Sequence, residues 1–144
     1  MARRSRQKHE TPRSEDYLET VYQLIQDKGY ATTVDISDRL RVTPPTVSSM
    51  ISKLASRGYL LHEPYRGMKL TDYGEKVARS VIRRHEVISD FLSLIGVEGD
   101  VAYEDTEGIE HHVQPTTIYK IERLVDFLRK NPEQLARIKE HLSV

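Results

Sequence analysis

Apolar positions recur with a helical period along most of this chain, and the exception is one short stretch near its middle. Leu18, Val21, Tyr22 and Ile25 stand at i, i+3, i+4 and i+7, which predicts a helix that Ser14 caps and Lys28-Gly29 ends. Ile36 and Leu40, one turn apart, predict a second, shorter helix from Val34 to Leu40. Val42-Thr43-Pro44-Pro45 breaks the pattern and opens a third helix to about Arg57, stopped by Gly58. A proline disfavours helical geometry in the residue before it, so Pro44 is placed just outside and Pro45 at the first helical position. Tyr59-Leu60-Leu61-His62-Glu63 and Gly67-Met68-Lys69-Leu70 then flank Pro64-Tyr65-Arg66-Gly67, two extended pieces around a turn that read as a β-hairpin. Thr71 caps a long helix to about Ile95, which Gly96 ends. Three further helices follow, at about 100–112, about 116–130 after Pro115, and about 132–142, where Asn131 caps and Pro132 and Glu133 open the first turn.

Three helices followed by a hairpin is the order of a winged helix-turn-helix, in which the third helix enters the major groove of DNA. Projected at 3.6 residues per turn, that helix places Val47, Ile51 and Leu54 on one face with Met50 at its edge. The other face presents Pro45, Ser48, Ser49, Ser52, Lys53 and Ser56, with Thr46 at the flank. Hydroxyls and lysine donate to phosphates, and small side chains let a backbone approach base edges. Tyr65 and Arg66 at the hairpin tip are candidate contacts to a flanking groove or to the backbone. A serine-rich helix face is also what a simply solvated helix shows; the full order of elements favours DNA. The fold class expected is mainly α: a disordered basic tail at 1–13, a winged helix-turn-helix at 14–72, and a helical metal-binding and dimerisation domain at 73–144. The helix at about 72–95 links the two.

Composition narrows the chemistry. No apolar run approaches the ~20 residues that span a bilayer, and the N-terminus has no hydrophobic segment behind it, so a cytoplasmic location is the default expectation. With no cysteine, any metal must be held by oxygen and imidazole. The net charge is zero, but residues 1–70 carry 12 Lys+Arg against 8 Asp+Glu, whereas residues 71–144 carry 10 against 14. The basic half suits phosphate and the acidic half suits cations.

Within the acidic half, Glu107-Gly108-Ile109-Glu110-His111-His112 is the segment with chemistry. Glu107, Glu110 and His111 fall at i, i+3 and i+4 and point the same way on a helix. Asp16 and Glu19 are i, i+3 on the first helix, and His85 lies midway along the fourth. Brought together, these four carboxylates and two imidazoles form a hard-leaning set suited to Mn²⁺ or Fe²⁺. Bridging carboxylates would allow two ions about 3.5–4 Å apart. The ordinary reading of such a face is a solvated one. His85-Glu86 lacks the second histidine of a zinc protease, and no pair of Glu-x-x-His helices is present. A metallohydrolase would need an additional nucleophile or base near these residues, and none is evident. No small-molecule substrate or membrane partner is expected. An architectural DNA binder, or a winged-helix regulator that senses iron or another ligand beside a structural acidic cluster, remains open.

Ser14-Glu15-Asp16-Tyr17-Leu18-Glu19, Pro45-Thr46-Val47-Ser48, Tyr65-Arg66-Gly67, Arg84-His85-Glu86 and Glu107-Gly108-Ile109-Glu110-His111-His112, in this order, closely resemble the manganese transport regulators. These are the manganese branch of the diphtheria toxin repressor family of metal-dependent transcriptional regulators. The resemblance runs from about residue 14 to about residue 130. It implies a homodimer that binds double-stranded operator DNA when metal-loaded and represses metal-uptake genes. It also implies a binuclear site whose ligands match Asp16, Glu19, His85, Glu107, Glu110 and His111. The iron-responsive branch has sulfur-bearing residues where this chain has Asp16 and Glu107, so the resemblance favours Mn²⁺. Two apolar groups, Ile118, Ile121, Leu124, Val125 and Leu128 with Phe91, Leu92 and Ile95, are candidates for the dimer surface or for core.

Overall fold

The computed structural model describes residues 12–63 and 67–143, so the basic tail up to residue 11 and the hairpin-tip candidates Tyr65 and Arg66 lie outside the described residues. The chain divides into two compact units, Met1–Arg79 and Ser80–Val144.

The first unit contains α1 (Pro12–Lys28), α2 (Thr33–Leu40), α3 (Pro44–Ser56), β1 (Leu60–Glu63), β2 (Gly67–Leu70) and the first two turns of α4 (Asp72–Leu94). Helix α1 starts two residues ahead of the expected cap, so Ser14 sits inside its first turn and not at the cap, and Pro12 stands at the start, where proline's missing N–H forfeits no intrahelical bond. Its buried stripe is wider than the periodicity implies, with Tyr17, Leu18, Val21 and Leu24 each at most 3% exposed. Gly29 ends it at φ +84°, donating its N–H to Ile25 O at 2.8 Å. Thr32 caps α2, its hydroxyl accepting from Asp35 N at 3.1 Å.

Pro44 and Pro45 both lie inside α3, with Thr43 at its N-cap, which corrects the expected start by one residue. The first four N–H groups of a helix have no intrahelical acceptor, so two prolines there forfeit no bond, and this outweighs the pre-proline restriction on Pro44. Strands β1 and β2 pair antiparallel, Leu60 with Leu70 through Glu63 with Gly67. Ala31 adds a bridge to Met68, whose N–H donates to Ala31 O at 3.0 Å, so the root of the hairpin is tied to the α1–α2 connection. Leu18, Val21, Ile36, Val47, Leu54, Leu60, Met68 and Ala78 share one core. Each of the Leu, Ile, Val and Met side chains contributes about 1.5–3 kcal/mol by leaving water.

The second unit contains the remainder of α4, α5 (Gly99–Glu110), α6 (Pro115–Lys130) and α7 (Pro132–Leu142). Thr71 caps α4 as expected, accepting from Gly74 N at 3.1 Å. Gly96, at φ +89°, closes its far end in a Schellman arrangement: Gly96 N donates to Ser93 O and Val97 N to Leu92 O. Val87, Ile88, Leu92 and Ile118 form the core, with Phe91, Ile95, Val97, Val113 and Ile121 against it. Asn131 does not cap α7 through its side chain; its Nδ2 donates to Phe127 O at 2.7 Å and closes α6 instead. No described helix is long and apolar enough to cross a membrane.

Candidate DNA-reading face and metal centre

The recognition helix divides as its periodicity predicts. Val47 and Leu54 are fully buried and Ile51 nearly so, while Pro45, Thr46, Ser48, Ser49, Ser52, Lys53 and Ser56 are exposed. Pro45, Thr46, Ser49, Met50 and Lys53 line an open groove along it. Thr43 and Thr46 hydroxyls lie 2.8 Å apart in the first turn, and Ser56 Oγ donates to Lys53 O, so these hydroxyls are held near the helix surface. The underside is held to α1, where buried Ser14 Oγ donates to Met50 Sδ at 3.7 Å.

In the second unit the structure brings His85, Glu107, Glu110 and His111 together. α4 carries His85, α5 carries Glu107 and Glu110, and His111 is the C-cap of α5. His111 keeps helical backbone angles, so the i, i+3, i+4 alignment survives the end of the helix. His85 Nδ1 lies 2.6 Å from Glu110 Oε2 and 3.3 Å from Glu107 Oε1, and His111 Nε2 lies 3.2 Å from Glu110 Oε1. Glu107, Glu110 and His111 each offer a donor atom within 4.8 Å of the others. Glu110 is the buried member, 1% exposed, against 32% for the His85 side chain and 40% for that of Glu107. Its Oε1, despite the nearby imidazole nitrogen, has no hydrogen-bond partner among the described residues. A buried carboxylate oxygen left without a hydrogen bond is unfavourable by about 1–3 kcal/mol, and a cation between it and His111 Nε2 would remove that cost. The oxygen-and-imidazole donor set therefore fits a divalent ion.

Asp16 and Glu19 lie in the first unit, on α1. They are half-buried beside the fully packed stripe of Tyr17, Leu18, Thr20 and Val21, and Gln23 Nε2 donates to Glu19 Oε1 at 3.3 Å. His112 is exposed and stands apart from the cluster's short contacts. The apolar groups offered as dimer surface or core resolve mostly into core. Leu92, Ile118, Val125 and Leu128 are buried, Phe91, Ile95 and Ile121 pack against the cluster that holds Leu92 and Ile118, and Leu124 is exposed. Phe127, one turn from Leu124 on α6, is also exposed, at 53%. It escaped the sequence reading because it sits off the periodic stripe.

A DNA-reading unit joined to a unit bearing a carboxylate–imidazole cluster defines a metal-dependent DNA-binding regulator. Residues 9–68 match the family described as iron dependent repressor, N-terminal DNA binding domain, and residues 71–139 match the iron dependent repressor, metal binding and dimerisation domain. The chain is 43% identical over 128 residues to the HTH-type transcriptional regulator MntR of Lysinibacillus sphaericus (strain C3-41), covering 89% of this chain and 92% of that protein. It is likewise 43% identical over 129 residues to MntR of Bacillus pumilus (strain SAFR-032), covering 90% of each. Among solved structures it resembles the manganese regulator SloR, with a TM-score of 0.73 and 28% identity over 82% of this chain. It also resembles the metal-dependent transcriptional regulator MtsR, with a TM-score of 0.76 and 28% identity over 82% of this chain. The chain spans 55% of the length of each of those two. It belongs to the iron dependent repressor family of metal-dependent transcriptional regulators, a family of DNA-binding proteins and not of enzymes.

Proposed function

We propose that this protein is a cytoplasmic, manganese-responsive repressor that binds operator DNA as a homodimer when metal-loaded and silences metal-uptake genes. The observation that carries the metal half of this reading is the buried, unsatisfied Glu110 Oε1 facing His111 Nε2, with His85 on the other oxygen. The proposed ligands are Asp16, Glu19, His85, Glu107, Glu110 and His111, holding two Mn²⁺ per subunit. The carboxylate at Glu107 supports Mn²⁺ over softer ions, and the MntR relatives and the manganese regulator SloR point the same way. Bound metal supplies the positive charge that lets these carboxylates converge. Without it, acids drawn from α1 and α5 repel one another, and the reading head on α3 loses its fixed relation to the dimer core. Two recognition helices so fixed match half-sites one helical turn apart, about 34–36 Å. Exposed Leu124 and Phe127 on α6 support self-association through the second unit.

The test is a binding titration against candidate promoter DNA in EDTA, Mn²⁺, Fe²⁺, Zn²⁺ and Co²⁺. Binding is expected with Mn²⁺ at the ion's own saturating level and not in EDTA, with Fe²⁺ the second ion to activate. Activation by Zn²⁺ but not by Mn²⁺ would overturn the manganese reading.

A further inference from the structure

Arg41, in the turn between α2 and α3, is the one non-glycine residue among the described residues with a positive φ (+54°, ψ +46°). The turn is closed around it. The Arg41 and Val42 N–H groups both donate to Ser37 O, and Ser37 Oγ donates back to Val42 O at 2.5 Å. This is a helix C-cap, a position that glycine fills without strain, whereas a residue with a Cβ is disfavoured there by roughly 1–2 kcal/mol. Glycine ends α1 and α4 in the same left-handed conformation elsewhere in this chain. The conformation alone therefore does not account for an arginine.

The side chain is not explained by the fold either. Arg41 is exposed. Lys28 pairs with Asp35 and Arg39 reaches Asp27, but Arg41 has no ion pair or hydrogen bond through its guanidinium among the described residues. It stands three residues ahead of the first residue of α3, the end of a recognition helix that meets DNA, and Pro45 and Thr46 of that first turn line the groove along the helix. A free guanidinium presents a donor fork suited to a phosphate diester.

We infer that Arg41 is an operator phosphate contact, a strained residue kept in the turn for the charge it delivers beside the recognition helix. The test is Arg41→Gly and Arg41→Lys in the full-length, Mn²⁺-loaded protein, measuring thermal midpoint and operator affinity across a salt series. Arg41→Gly should leave the thermal midpoint equal or higher, because the strain is gone. It should weaken binding to operator and random DNA alike and flatten the log–log salt slope by up to about 0.9 per protomer. Arg41→Lys should restore most of the slope. An unchanged slope in Arg41→Gly would overturn the assignment, as would a loss of affinity confined to operator DNA, which would mean base readout. Metal dependence is measured in the same series: if wild-type binding were indifferent to Mn²⁺, the regulatory reading would fail while the Arg41 result still stood.

Discussion

A Cβ added at Gly74 would sit 2.0 Å from Tyr59 O and 2.9 Å from Tyr59 C, backbone atoms of the segment that leads into the hairpin. Neither can withdraw without moving β1, so Gly74→Ala is expected to destabilise the first unit by about 1–3 kcal/mol. Gly58 offers the contrast. Its φ of +83° is strained for any other residue, yet nothing lies within 4 Å of an added Cβ. Gly58→Ala should therefore cost only about 1–2 kcal/mol, from backbone strain alone. Parallel urea melts check both, with the larger loss expected for Gly74→Ala; equal losses would mean that the close approach to Tyr59 is not felt. Glu110 is the residue-scale counterpart in the second unit, where a buried acid between two histidines is poorly explained by packing and well explained by a cation.

The α1–α2 joint shows how elements are held by charge as well as by packing. Lys28 Nζ and Asp35 Oδ1 lie 2.8 Å apart, and Thr32 Oγ1 donates to Asp35 Oδ2 at 2.8 Å. The hydrogen bonds from Lys28 and then Thr32 hold the Asp35 carboxyl below the usual carboxylate range. A depressed acid stabilises the fold above its unfolded pKa and loses that contribution as pH falls through its folded value. The difference in thermal midpoint between wild type and Asp35→Asn should accordingly be constant around neutrality and vanish on acidification below the ordinary range of aspartate. A difference that persisted at low pH would show that the loss comes from the helix cap and not from the ion pair.

Elements were more legible in the sequence than their surroundings. The inner face of α3, the hairpin, the Thr71 cap and the glycine stops at Gly29, Gly58 and Gly96 are local, and the alternation and turn chemistry that specify them are written residue by residue. Periodicity placed Ile118, Val125 and Leu128 on one stripe, but it could not tell whether that stripe is covered by this chain or by a second one. The structure buries all three within this chain, Ile118 in one cluster with Val87, Ile88 and Leu92 of α4. The side of Glu107, Glu110 and His111 followed from spacing, whereas the approach of His85 to Glu110 depends on how two helices pack, which no spacing within either encodes. Arg41 was invisible because a left-handed arginine follows no composition rule.

At the scale of the whole molecule, the chain divides into a reading unit that is basic overall and an acidic unit with its own core and the cluster of His85, Glu107, Glu110 and His111. The central claim is that occupancy of this cluster by Mn²⁺ controls DNA binding. The most direct measurement takes wild type and Glu110→Ala and determines bound Mn²⁺ and operator affinity on the same samples, in EDTA and in saturating Mn²⁺. Wild type should hold two ions per subunit and bind operator only with Mn²⁺, and Glu110→Ala should lose both the ions and the response while remaining folded. Equal wild-type affinity in EDTA and Mn²⁺, or a Glu110→Ala protein that still responds fully, would contradict the account.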